Sequence, residues 1–224
     1  MSRKKLIVTA IVLTLILAIG GILAYFTSTD TKVNRFKMSN VGISVNETSF
    51  PGDPSDPNNK VPVVPDQEIP KNPTVTNNGD GEVYAFVVVD IPRATVKTSV
   101  SGAATEIDLF TVRKITNAST GETADGINDG WVLVDTTDND TYMSYIYAYG
   151  TSSKLTALAK DATTPAVFDY VKFASVVETE NGTGSLQGTN LEVKVSGYGI
   201  QTEGLESDVP ATVWPLVSEQ YTTE

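Results

Sequence analysis

The residues of this chain best suited to chemistry are hard oxygen ligands. Two stretches collect them, Asp125-Gly126-Ile127-Asn128-Asp129-Gly130 and Asp135-Thr136-Thr137-Asp138-Asn139-Asp140. Carboxylate and amide oxygens at this density suit calcium. Neither stretch has the D-x-[DN]-x-[DN]-G spacing with a distant Glu. Asp, Asn and Gly are also what tight turns require, so both stretches are read as turns and no metal ligand is assigned. The chain has no His and no Cys. That removes the commonest general base, the thiolate nucleophile and the commonest metal ligands. A Ser-His-Asp triad and HExxH zinc proteolysis are excluded, and catalytic zinc would have to rest on carboxylates alone. The expectation is a protein that is not an enzyme, with no catalytic residue, cofactor or metal. A Lys–Asn isopeptide crosslink remains a possible chemistry, but the sequence does not place its members. Asn-x-Ser/Thr occurs at Asn46, Asn117, Asn139 and Asn181, all read as polar turn residues.

The N-terminus carries a different signal. Arg3, Lys4 and Lys5 precede an uncharged apolar run, LIVTAIVLTLILAI, over residues 6–19. Gly20, Gly21 and Ile22-Leu23-Ala24 follow. A basic segment, a short apolar segment and a small residue make a signal peptide over residues 1–24, cut between Ala24 and Tyr25. The alternative is a retained anchor, because Leu6–Phe26 is about 20 residues, enough to span a bilayer. After cleavage, residues 25–35 (YFTSTDTKVNR) form a free N-terminal arm. An extended arm can add a strand to the sheet edge of another subunit. Such a head-to-tail contact does not close, so it builds a filament. Tyr25 and Phe26 are the anchors, with Val33 a lesser one. The alternative is an arm folded back on its own domain.

The body that must position this arm is acidic and rich in strand formers. Of 224 residues, 40% are hydrophobic, enough for a sizeable core. Without the three basic residues near the N-terminus, 13 Lys and Arg face 27 Asp and Glu, a net charge of -14. Phosphate contacts need clustered cations, so no nucleic-acid partner is expected. Membrane contact is expected only through the signal segment.

Strands are expected at 36–46, 73–77, 82–91, 94–100, 107–115, 131–135, 141–149, 166–177 and 191–200. In 36–46 the apolar set is Phe36, Met38, Val41, Ile43 and Val45, with a change of phase after Met38. Seven of the eleven prolines fall in 50–73, which reads as a surface loop with Val61–Val64 as a short edge segment. Asn77-Asn78-Gly79-Asp80-Gly81 is a turn. The strand after it is apolar on both faces, Val83, Ala85, Val87, Val89 and Ile91 on one and Tyr84, Phe86 and Val88 on the other. It is therefore central and covered on both sides. Met143, Tyr145, Tyr147 and Tyr149 form a stripe that reads as packing between sheets, with an exposed adhesive stripe as the alternative. Leu191, Val193 and Val195 face inward. A helix is expected over 152–161, capped by Ser152 or Ser153. A turn is expected at 181–190. From Gln201 the chain reads as an acidic, turn-rich tail pinned by Trp214. About nine or ten short strands imply an all-β, two-sheet β-sandwich of jelly-roll or Ig-like character over residues 36–224, with one short helix and preceded by the signal helix.

Several segments carry a family likeness. They are AYFTSTD (24–30), NRFKMSNVGISVN (34–46) with Asn34, Phe36, Val41 and Ile43, and PKNPTVTNNGDGEVYAFVVVDI (70–91) with Lys71, Pro73, Val75, Asn77, Gly79 and Tyr84. The stretch from Val167-Phe168-Asp169 to Ile200-Gln201 adds to them. Together they resemble the TasA/camelysin family, proteins released by a SipW-type signal peptidase. Ser39-Asn40 departs from the Gly-Asn frequent there. The resemblance implies a jelly roll, a secreted location in the extracellular matrix or at the surface of a Gram-positive cell, and assembly into biofilm matrix fibres. The expected partners are a SipW-type signal peptidase during export and further copies of the chain in a head-to-tail homopolymer. The camelysin branch also brings in a metallopeptidase alternative, at odds with the lack of His. A third alternative is a monomeric adhesion or ligand-binding domain using the 50–70 loop or the tyrosine stripe. With no LPxTG-like signal, attachment to the wall by sortase is not expected.

Overall fold

The computed structural model describes residues 40–52, 60–177, 185–186 and 188–221. The signal segment, the cleavage point at Ala24 and Tyr25, the arm anchors Tyr25, Phe26 and Val33, and Asn34, Phe36 and Met38 lie outside the described residues.

The longest strand is where both alternating positions are apolar. It is β4 (Val83–Val96), and two layers are organised around it. On one side it pairs antiparallel with β12 (Lys194–Gln201) and then β5 (Thr105–Asp108). On the other it pairs with β9 (Tyr142–Tyr149), continued by the short β10 (Ala157–Leu158). Outside β9 lies β8 (Trp131–Asp138), with a bulge between Leu133 and Asp135. Pro92, which cannot donate to a ladder, sits where β9 ends and β5 takes over from β12. Its presence does not break β4, so the strands expected at 82–91 and 94–100 are one.

The second layer holds β2 (Glu68–Pro70), β11 (Tyr170–Phe173), β6 (Phe110–Asn117) and β7 (Glu122–Asp125), in that order. A separate antiparallel pair joins β1 (Ile43–Glu47) to β3 (Pro73–Asn77). The strand expected at 107–115 splits at the buried Leu109, whose N–H donates to Pro92 O at 2.9 Å. β5 stays with β4, and β6 crosses to the other layer.

Both faces of β4 are buried, as its alternation requires. Val83, Ala85, Val87, Val89 and Ile91 pack with Val75, Leu109, Phe110, Phe168, Val171 and Phe173 between the layers. Burying such a side chain contributes about 1.5–3 kcal/mol. Phe86 packs on the opposite face with Ala148, Leu155 and Ile200. That face is covered by Val213 and Val217 of α1 (Pro210–Tyr221). Trp214 lies 5.5 Å from the Phe86 ring and 5.9 Å from the Tyr198 ring, so it does pin the C-terminal segment. The fold is an all-β sandwich with one short helix among the described residues.

Two expectations about helix are corrected. Residues 152–161 are not helical. Leu155 is buried on the α1 side of the first sheet and Leu158 between the layers, and one helical stripe cannot reach both. The segment instead makes a tight turn at Thr151–Lys154 and pairs Ala157 and Leu158 with β4. The helix lies in the tail that read as turn-rich. Pro210 opens it, where a missing N–H costs nothing. Val213 and Val217, four apart, supply its buried stripe. Pro215 inside it is the residue that hides it from a sequence reading.

Candidate functional site

The residues leading into β1, from Asn40 onward, are held by several surrounding elements. Asn77 is fully buried. Its Nδ2 donates to Gly81 O at 2.8 Å and Leu158 O at 2.9 Å, and its Oδ1 accepts from Gly79 N at 2.9 Å. The turn so fixed grips the incoming chain. Asn78 N donates to Gly42 O at 2.8 Å, and Asp80 N to Asn40 O at 3.0 Å. A Cβ at Gly79 would lie 2.5 Å from Asn40 O, so only glycine allows this approach.

The next residues sit in a recess. A Cβ at Gly197 would lie 2.6 Å from Val45 Cγ2, and one at Gly199 would lie 2.9 Å from Ile43 Cγ2. Two glycines two residues apart in β12 thus open a seat for the two apolar side chains of β1. At the far end of β1, Lys71 Nζ meets Glu47 at 2.7 Å, with side chains 8% and 12% exposed. The ammonium also lies 5.3 Å from the Phe50 ring. Asn72 adds a bond to Thr48 Oγ1 at 3.1 Å and accepts from Ser49 N at 2.7 Å. Beside Val41 lies an open groove of about 730 Å³, lined among others by Ile200, Glu203, Leu205, Leu216 and Glu219.

Residues 71–79 supply much of this junction. Lys71, Pro73, Val75 and Asn77 are buried, and Gly79 is a close backbone approach. Val167 and Phe168 are core residues. Asp169 accepts from Ile115 N at 2.8 Å and from Asn128 Nδ2 at 3.1 Å, tying β6 to the 126–130 turn.

The acidic stretches are turns only in part, because Asp125 ends β7 and Asp135–Asp138 belong to the bulged strand β8, and their carboxylates serve as ion-pair partners. Asp125 pairs with Arg113, and Asp129 with Lys114. Asp138 pairs with Arg93 at 2.8 Å and accepts from Asp140 N at 3.2 Å. Asp140 takes a positive φ of 57°, and Asn139 bonds Ser144. Among the described residues, no three acidic side chains gather as a metal site. Asn117 caps a turn through Ser119 N and Thr120 N, and Asn139 also lies in a turn. Asn46 is instead a strand residue of β1, bonded to Thr76 Oγ1. Asn181 lies outside the described residues. The buried lysine, Lys71, faces a glutamate rather than an asparagine, so the arrangement is an ion pair.

The tyrosine stripe faces the core. Tyr147 is 5% exposed and stacks on Tyr145, and Tyr149 packs on Trp131 at 5.5 Å. Tyr145 donates its hydroxyl to Asp108 Oδ2. Burial, and secondarily this bond to a carboxylate, push the Tyr145 phenol up to about 12. Burial pushes Tyr147 well above the ordinary phenol value.

No family model, curated protein or solved structure matches this chain. Among the described residues, no helix is long and apolar enough to cross a membrane.

Proposed function

We propose that this chain is an exported structural protein of a Gram-positive extracellular matrix or cell surface, of the TasA/camelysin type. Cleavage by a SipW-type peptidase between Ala24 and Tyr25 frees the arm of residues 25–35. That arm joins subunits head to tail by adding to a sheet of the next copy. The observation that supports the reading is how β1 and the residues leading into it are held. The turn at 77–81, the β12 glycines and the Lys71–Glu47 pair all hold residues 40–47. A structure that holds the root of an N-terminal segment this firmly can bear load transmitted through that segment. For the adhesion alternative, Val64 of the 50–70 loop is 61% exposed, whereas Tyr147 of the stripe is buried and Tyr145 and Tyr149 are half-buried against the core.

A synthetic peptide of residues 25–35 tests the reading. Added in excess to the mature protein, it should occupy the acceptor and suppress growth of sedimentable polymer. Polymer that grows equally fast with the peptide or with a scrambled version would sink arm exchange.

A further inference from the structure

We infer that Asn78 is a modification site, an asparagine that deamidates when the 77–81 turn opens and is held unreacted while the turn is closed. The inference stands apart from the assembly reading. The reactive pair is Asn-Gly, which occurs at 78–79 and at 181–182, the second outside the described residues. Asparagine is a thermolabile residue, and a following glycine has no side chain to hinder attack on it. Asn78 is exposed to water, while Gly79 is buried. In the reaction the Gly79 nitrogen loses its proton to hydroxide and bonds to Asn78 Cγ. The Cγ–Nδ2 bond breaks, and the side-chain nitrogen leaves as ammonia with a proton from water. One water then opens the succinimide ring. Cleavage of the new Cγ–N bond gives an ordinary aspartyl link, and cleavage of the backbone C–N bond gives an isoaspartyl link.

The closed turn opposes the first step from several sides. The Gly79 N–H donates to Asn77 Oδ1 at 2.9 Å, which holds the proton that must leave. Asn77 is itself fixed by its bonds to Gly81 O and Leu158 O. Asn78 N is tied to Gly42 O and Asp80 N to Asn40 O, so the peptide units on either side of Gly79 are pinned. A Cβ on Gly79 would lie 2.5 Å from Asn40 O and 3.0 Å from Gly42 N, so the glycine has no room to swing that way. Reaction then proceeds from the opened turn, at a rate set by the open fraction.

The same close fit makes the product disruptive. An isoaspartyl link adds one backbone carbon, about 1.5 Å of chain, between the donors of Asn78 and Asp80. The bonds to Gly42 O and Asn40 O then lose their common spacing. Either product also adds a carboxylate two residues from Asp80. A turn that has reacted does not close as before, so Asn78 keeps a one-way record of opening.

The purified protein is kept in mildly alkaline buffer, folded or in guanidinium chloride. The tryptic fragment Asn72–Arg93 is followed by mass spectrometry, and isoaspartate is detected with an isoaspartyl methyltransferase. Asn78 should convert readily in the unfolded chain and at least roughly a hundredfold more slowly in the folded protein. Asn77→Ala, which removes the acceptor of the Gly79 proton, should raise the folded rate at least roughly tenfold. If that variant does not fold, the folded and unfolded parent protein decide alone. Folded protein that converts as fast as the unfolded chain would overturn the gating, as would a folded Asn77→Ala protein that reacts no faster than the parent. An unfolded chain that leaves Asn78 intact would overturn the site itself. Protein refolded after conversion should lose hydrogen-exchange protection at the Asp80 amide, and protection retained in its isoaspartyl fraction would overturn the one-way record.

Discussion

Lys71 is the residue whose replacement should be felt most. It lies at the junction of β1, β3 and the Phe50 segment with Glu47 as its partner, and both side chains are nearly buried. Removing one member of such a pair leaves an uncompensated charge and typically costs about 3–5 kcal/mol. Lys71→Met should therefore lower stability by that order in urea denaturation. The double variant with Glu47→Leu should recover most of the loss, because no charge is then stranded. Asn77→Ala should cost about 2–4 kcal/mol, since each buried partner left unsatisfied costs about 1–3 kcal/mol. Tyr145 gives a pH signature. Its folded value, about 12, lies above the ordinary value of 10 for an unfolded tyrosine. The folded state therefore holds the proton more tightly. This stability is fully present below pH 10 and is lost as pH rises towards 12. Denaturation midpoints should fall across that window, and Tyr145→Phe should fall less.

At the scale of elements, the glycines of the junction rank in a definite order. At Gly79 an added methyl meets the backbone oxygen of Asn40, which cannot move without undoing the turn. At Gly197 it meets side-chain atoms, Val45 Cγ2 and Ile43 Cδ1, rather than backbone. Gly79→Ala should be the more destabilising of the two, and Gly197→Ala should fall within the roughly 1–3 kcal/mol of ordinary overpacking. Thermal unfolding of the pair checks the order. The elements also show what a sequence can disclose. The two apolar faces of β4 and the inward tyrosine stripe are legible because period-2 alternation is local. The glycines of Ser196-Gly197-Tyr198-Gly199 are visible as a gap in a strand, but their occupant, β1, is some 150 residues away in sequence. Lys71 and Glu47 are 24 residues apart with a proline-rich loop between them, so nothing local couples them. The helix expected over 152–161 fails for the same reason. Leu155 and Leu158 imitate a helical stripe, while Pro215 breaks one, and only the packed sheet shows which segment covers Phe86.

At the scale of the whole molecule, charge and edges set the terms of association. The outer side of β8 is blunted by its bulge and by the exposed run Asp135-Thr136-Thr137-Asp138, which are common protections against indiscriminate strand pairing. On the proposed cleavage, the chain from Tyr25 onward would carry a net charge of -14, and copies would repel one another. Assembly through specific segments should then accelerate with added salt, because ions screen that repulsion beyond a Debye length of about 10 Å at 0.1 M. Light-scattering growth rates over a salt series check this, and rates that fall with salt would mean that charge attraction drives contact. The most direct test of the assembly account is negative-stain microscopy of the mature protein beginning at Tyr25, beside the same protein lacking residues 25–33. The account predicts filaments from the first and well-folded single particles from the second. Filaments of equal abundance from both, or single particles from both, would contradict it.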